Sequence, residues 1–487
     1  MENQATENRR ARLHGRVVAA AVAGCAVLGT ALMLLPPERT ATRSPAPAPG
    51  AQALSAVAAG VPVGLPDLAT LIGDRESHLR RHPEDAESWA VLGTAYVEQA
   101  RRTADTAFYA KADGSLRTSL QVRRNAAALG GLAALANARR DYRTALTWGE
   151  AARSLEPKRW TTYPALIDAY TGLGDYKAAH GALERLMELR SGPEVRARAA
   201  AVYRDRGWRE DAAAQLADAA AGARTPAERA EYLERAGQLA WERGDREDAL
   251  RHFQEAVRID PDQRAAQAGQ GRALAALGRT TEALNAYRMA LAKQPLPQYA
   301  LELGELYESL GLGQAARVQY DLLLARVRSA AASGADEELV LGQFEADHGD
   351  PASAVRRLRA EWRRQPGIAV ADALGWALHR AGADREGLRY ARIATDRAHG
   401  GGVRSALYAY HLGMIERELE QPASARRHLQ EALRINPYFS PSRVRAAREA
   451  LAALGDVPDQ GLPAADAKAV TDAKAVTVPP ERRGDRG

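Results

Sequence analysis

Between residues 230 and 296 the same residue types recur at a spacing of 34: Gly237 and Gly271, Gly244 and Gly278, Ala249 and Ala283, Phe253 and Tyr287, Ala256 and Ala290, Pro261 and Pro295. Each element has a physical job. A small residue lets two helices cross closely, a glycine opens the turn between them, an aromatic ring fills the gap at the crossing, and proline ends the second helix. The repeating unit is therefore a helical hairpin. A length of 487 residues would otherwise suggest about three globular domains, a prior that gives way where a chain repeats itself.

The frame extends in both directions. Trp89, Leu92, Gly93 and Tyr96 open a first unit, with Pro83 in the turn before it, and Ala145, Gly149, Ala152 and Pro157 close the second. Tyr163, Leu166, Tyr170, Gly174 and Ala179 make a third; Tyr203, Gly207, Ala212 and Leu216 a weaker fourth, followed by an irregular bridge from Gly222 to Pro226. Beyond the two central units, Gly304, Tyr307, Gly311, Ala316 and Tyr320 form the seventh, one residue short of register, and Gly342, Gly349, Ala354, Leu358 and Pro366 the eighth. The ninth, around Trp376 and Ala391, is degenerate, and His399 to Gly402 reads as a turn. Gly413, Ala425, Leu429, Ala432 and Pro437 give the tenth. A helix from about Ser440 to Leu454 is expected to cap the array, since the last hairpin would otherwise expose its apolar side.

These motifs resemble the tetratricopeptide repeat over about four-fifths of the chain, most closely its long exported or membrane-anchored bacterial members. The resemblance implies an all-α fold, a right-handed α-solenoid of about ten hairpins with a C-terminal capping helix. It also implies a non-catalytic scaffold whose inner groove, lined by the first helix of each hairpin, grips peptide segments or partner helices. It is nearly silent on the ligand.

Residues 17–35 contain no charge and are long enough to span a hydrocarbon core of ~30 Å as a helix. Arg9, Arg10, Arg12 and Arg16 before it, against Arg39 and Arg43 after it, favour a single-pass signal anchor with residues 1–16 inside and the array outside. A cleaved signal peptide, giving a secreted chain, is an alternative. So is lipidation at Cys25, because Val22 to Cys25 resembles a bacterial lipobox, although apolar residues follow where a polar spacer belongs. Residues 36–66, rich in Pro, Ala and Gly, read as an extended spacer. The array is expected at 67–454. A disordered tail with duplicated DAKAVT is expected at 455–487.

Charge and motif searches narrow the function. The excess of 67 basic over 61 acidic residues is spread along the chain, so nucleic acid is not expected, though a cytoplasmic regulator or nucleic-acid-associated adaptor is the second reading. With Cys25 the sole cysteine there is no intramolecular disulfide and no cysteine zinc site. Gly311 to Ala316 matches G-x-G-x-x-A, but joins two helices and already serves the repeat. His78 and His82 lack a third metal ligand. No cofactor, metal or small-molecule substrate is evident. The family's carboxylate clamp needs Lys and Asn where the first three repeats carry Ala90 and Thr94, Gly130 and Ala134, Pro164 and Asp168.

Carrying over the family's inward positions, repeats five to eight present Glu231, Glu234, Glu242, Glu305, Glu308, Asp336 and Asp347 against a single Arg272, with Gln238, Gln343 and Trp241 among them. Arg356, Arg357, Arg359, Arg363 and Arg364 of a second helix are expected to face outward. The central groove is thus expected to be acidic and to hold a basic or amide-rich extended segment of another protein, with Trp241 offering stacking area.

Overall fold

The computed structural model describes residues 49–396 and 402–455. The chain divides between Gln52 and Ala53 into two units; only Pro49–Gln52 of the first are described, and the repeats all belong to the second. The segment expected to cross the membrane at 17–35, Cys25 within it, His399–Gly401 and the tail from residue 456 lie outside the described residues. Among the described residues there is no strand, and no helix is long and apolar enough to cross a membrane.

Helices α1 (Pro49–Ala59) and α2 (Leu65–Arg81) precede ten hairpins. The hairpins are α3 (Ala86–Thr103) with α4 (Ala107–Val122), α5 (Ala126–Ala138) with α6 (Tyr142–Leu155), α7 (Tyr163–Gly172) with α8 (Tyr176–Leu189), α9 (Pro193–Asp205) with α10 (Arg209–Gly222) and α11 (Pro226–Arg243) with α12 (Arg246–Ile259). They continue as α13 (Arg264–Ala276) with α14 (Thr280–Lys293), α15 (Pro297–Ser309) with α16 (Gly313–Ala332), α17 (Glu338–His348) with α18 (Pro351–Arg364), α19 (Ile368–Arg380) with α20 (Asp384–Thr395) and α21 (Ala406–Glu418) with α22 (Pro422–Ile435). The capping helix is α23 (Arg443–Ala453), whose Ala447 and Ala450 pack with Leu429 and Ala432 of α22. The expectation of an extended spacer up to residue 66 is corrected from Pro49 onward. Ala53 and Val57 of α1, and Val63 beyond it, bury against Leu68 and Leu71 of α2 and Ala95 of α3. Alanine is the best helix former, and proline at a helix start gives up no intrahelical hydrogen bond, so this composition supports a helix once a packing face exists.

Inside a hairpin the repeat residues do what their chemistry suggests. A Cβ on Gly237 would stand 2.7 Å from the Phe253 ring, and one on Gly269 2.5 Å from it, so α11 and α13 both reach the ring only because glycine is there. Phe253 is fully buried, which stabilises the unit by roughly 1.5–3 kcal/mol. Gly271 meets Tyr287, Gly304 meets Tyr320, and Gly413 meets Leu429 in the same way. The degenerate ninth unit uses another device: Gly375 of α19 and Gly387 of α20 bring backbone against backbone, a Cβ on Gly375 falling 3.0 Å from the Gly387 carbonyl oxygen. Asp141 and Asp175 cap second helices, accepting from the N–H of Thr144 at 3.2 Å and of Ala178 at 2.9 Å.

The array returns on itself after five hairpins. The turn of each of the first five meets the connection that follows the hairpin five places later. Gln294 donates to the Arg101 carbonyl at 2.8 Å, and Asp336 N–H donates to the Arg139 carbonyl at 2.8 Å. Tyr176 hydroxyl accepts from Ile368 N–H at 3.3 Å, and Gln365, just before Ile368, also reaches back to the second turn, accepting from Tyr142 N–H at 2.9 Å. Arg209 donates to the Arg404 carbonyl. In the fifth turn buried Asn436 donates to the Trp241 carbonyl at 2.7 Å, and the Arg246 guanidinium lies 4.2 Å from the Tyr438 ring centroid. Where the first coil closes, Arg102 of hairpin one and Asp260, just after hairpin five, form an ion pair of 2.6 Å with side chains only 3% and 12% exposed. Hairpins one to five thus form a first coil on which hairpins six to ten lie as a second.

Candidate functional site

Charged side chains of the first helices of hairpins four to eight, joined by Arg101 of α3 and Arg443 of α23, gather on the inner face of these two coils. Arg101, Arg204 and Arg235 pair with Glu231, Glu242 and Glu231, respectively, while their side chains remain 43%, 42% and 35% exposed. Charged side chains that pair yet keep water contact line a wet face rather than a packed core.

The carboxylates expected there are present, but most are matched from within the chain. Buried Glu231 accepts from Arg235 at 2.8 Å, from Arg101 at 3.3 Å and from Gln263 at 3.3 Å. Burial would lift its carboxyl, but Arg101 and Arg235 hold it well below the usual carboxylate range. Glu242 accepts a two-pronged contact from Arg204 at 2.7 and 2.8 Å and a third bond from Gln238 at 2.9 Å. Against the upward push of burial, these lower its pKa. Gln238 in turn accepts from Arg272 at 2.7 Å, and Arg272 lies 3.3 Å from Glu302.

At the far end of this face Arg443 places one nitrogen 3.0 Å from Glu305 and 2.6 Å from Asp347. Asp347 also accepts from Trp376 Nε1 at 3.0 Å and lies 3.5 Å from Arg380. Both carboxyls sit below their ordinary range, since Arg443 outweighs the effect of burial. His348 stands 3.7 Å from Glu305 and 3.4 Å from Glu308. Burial would depress the imidazole, but these acids raise its pKa above the ordinary value. Glu308 keeps 42% of its side chain exposed. Burial and the neighbouring charge of Glu231 outweigh Arg235, Arg272 and Arg101 at Glu234 and push its carboxyl up to about 7.

Four sequence expectations change. Trp241 is 9% exposed and belongs to the central core, so it offers no stacking platform; its indole fills space between hairpins five and six. Asp336 is not on the inner face: α16 runs to Ala332, and Asp336 falls in the connection that docks on the Arg139 turn, paired with Arg364. Burial there raises its carboxyl to about 6. Arg272 is not the lone inner cation, because Arg101, Arg204, Arg235 and Arg443 join it. Arg357 is half-buried between Glu338 and Glu345, whereas Arg356, Arg359, Arg363 and Arg364 are exposed as expected. Gln343 lies half-buried on α17, and His78 donates or accepts at Asp85, the cap of α3, 3.0 Å away. Arg101 shows only a local pairing with Glu98, at 2.8 Å, so its reach to Glu231, 130 residues away, leaves no local signal, and Arg443 meets Glu305 138 residues away.

A model of the tetratricopeptide repeat family matches residues 234–299 and 268–335. Among solved structures the chain is similar to a tetratricopeptide repeat protein from Parabacteroides merdae ATCC 43184, at 16% identity and a TM-score of 0.32, over 54% of this chain and 99% of that one. It is also similar to the human IFIT1 dimer with PPP-AAAA, at 15% identity and a TM-score of 0.42, over 76% and 89% of the two chains. For the APC/C hetero-tetramer Cut9-Hcn1 the values are 15% identity, a TM-score of 0.37, and 84% of each chain. No curated protein matches.

Proposed function

Because this chain is a tetratricopeptide-repeat protein, we propose that it is a non-catalytic scaffold that holds segments of other proteins against the inner face of its two coils. The observation that supports this most is that two carboxylates of the first helices are incompletely matched from within the chain, Glu308 with 42% of its side chain exposed and Glu234 with its carboxyl pushed up to about 7. An extended segment with basic or amide side chains fits such a lining, because its donors meet carboxylates already held by rigid helices.

In this reading the segment at 17–35 anchors the chain in the cytoplasmic membrane, with the array outside. Crosslinking in cells followed by capture of the tagged chain, with protease treatment of intact protoplasts on the same sample, tests both parts. Digestion of the array from outside together with recovery of envelope proteins bearing basic segments is expected. Protection of the array with recovery of ribosomal or DNA-bound proteins would overturn the proposal.

A further inference from the structure

The capping helix supplies its own arginine to the inner face. Arg443 is the first residue of α23, where the helix dipole disfavours a cation, so its placement is not explained by helix stability. The pair of carboxylates it reaches, Glu305 of α15 and Asp347 of α17, at 3.0 and 2.6 Å, does explain it. The connection before α23 is pinned by the first coil through Asn436 on the Trp241 carbonyl and Tyr438 under Arg246. That anchoring delivers Arg443 to hairpins seven and eight.

The site is built as a guanidinium receptor. Two carboxylates from neighbouring first helices converge on one guanidinium, Trp376 Nε1 orients Asp347, and the rings of Tyr320 and Phe344, 5.2 Å apart, stand beside His348. One edge is open: Glu308 is 42% exposed, while Arg443, Glu305 and Asp347 are 19%, 15% and 16% exposed. Arg443 reaches the two carboxylates through its side chain alone, while α15 and α17 carry the carboxylates themselves.

We propose that Glu305 and Asp347 form an arginine-recognition subsite of the inner face and that Arg443 is its resident occupant, displaced by an arginine of the partner segment. This rests on the reading of the inner face as the partner-binding surface. It makes the capping helix a built-in competitor: if Arg443 fills the receptor about nine-tenths of the time, apparent affinity for the partner's arginine falls about tenfold.

The test uses the full-length chain and a fluorescein-labelled peptide of alternating arginine and alanine, read by anisotropy at low salt. Arg443→Ala is expected to tighten binding about tenfold, Arg443→Lys to stay within about twofold of wild type, and Glu305→Gln with Asp347→Asn on the Arg443→Ala background to remove the gain. Because Arg443→Ala leaves Asp347 with Arg380 alone for a cation, at 3.5 Å, and Glu305 with His348, at 3.7 Å, Arg443→Gln is run beside it, and melting with and without peptide shows whether peptide restores lost stability. Binding that is equal in wild type, Arg443→Ala and Arg443→Gln, yet falls on Glu231→Gln with Glu242→Gln, overturns the competitor and leaves the scaffold reading intact. Absence of peptide binding in every variant overturns the scaffold reading itself.

Discussion

The third and fourth hairpin turns of the first coil and the sixth and seventh of the second carry the same glycine in the same backbone conformation but live in different surroundings. Gly174 has φ +74° and Gly311 has φ +74°, as the turn between helices requires in both. A Cβ on Gly174 would lie 2.5 Å from the Pro366 carbonyl oxygen of the second coil, and one on Gly207 would strike the Gly402 carbonyl. At Gly278 and Gly311 no described residue would come within 4 Å of it. A motif that shapes the local turn has thus been used a second time in the first coil, as a seat for the backbone of another hairpin. The repeat signature does not distinguish the two uses.

That difference can be broken most directly at the glycines. Gly174→Ala should cost about 4 kcal/mol, roughly 1 for the left-handed backbone and up to ~3 for the clash with Pro366, whereas Gly311→Ala should cost only the first part. Urea unfolding midpoints check this, and equal shifts at the two positions would show that the coils do not touch there. The next effect is at the buried pair where the first coil closes. Asp260→Asn strips Arg102 of its partner inside the protein and should destabilise by about 3 kcal/mol, while Asp248→Asn, half of an exposed pair with Arg251 on the outer side, should change the midpoint little. A smaller loss of about 1 kcal/mol is expected for Asn436→Ala, which removes one of the two donors of the Trp241 carbonyl and leaves the Gly244 N–H at 3.0 Å. Hydrogen exchange should then rise in the Trp241–Gly244 turn and remain unchanged in the Gly278 turn.

The smallest effect concerns pH and the inner face. Glu234 has its carboxyl raised to about 7 from an ordinary 4.5, so the folded state holds a proton that the unfolded state releases first. Its protonated form is favoured in the fold at low pH, and that contribution is lost as pH rises from about 4.5 through about 7. Glu234→Gln should therefore raise the melting temperature at pH 8 by ~2 °C and leave it unchanged at pH 4. A gain of the same size at both pH values would mean that Glu234 is not under electrostatic strain.

The degree to which the sequence can be read differs from residue to residue for physical reasons. The glycine and aromatic partners Gly237 with Phe253, Gly271 with Tyr287 and Gly304 with Tyr320 are legible because both members lie within one hairpin, at separations set by helix geometry. The ninth hairpin is nearly illegible by the same test, since Gly375 and Gly387 meet backbone to backbone and leave no aromatic to find. On the inner face Glu231, Glu242, Glu305 and Asp347 can be found from sequence, as they fall on the first helices in register. Asp336 escapes that reading because the long α16 shifts the register locally, and Trp241 because periodicity gives the helix but not which neighbour a large ring will fill.

The sequence by itself determined the unit of this protein: the hairpin, its period, the ten copies and the helix that ends them, all set by contacts between residues near each other in the chain. Only the tertiary structure decided how tightly those units wind, and with that the return of the sixth hairpin onto the first. The matching of Glu231 by Arg101, and of Glu305 and Asp347 by Arg443, is a consequence of that winding. The reason is that small rotations between successive hairpins add up along the array, and no local pattern of residues records their sum.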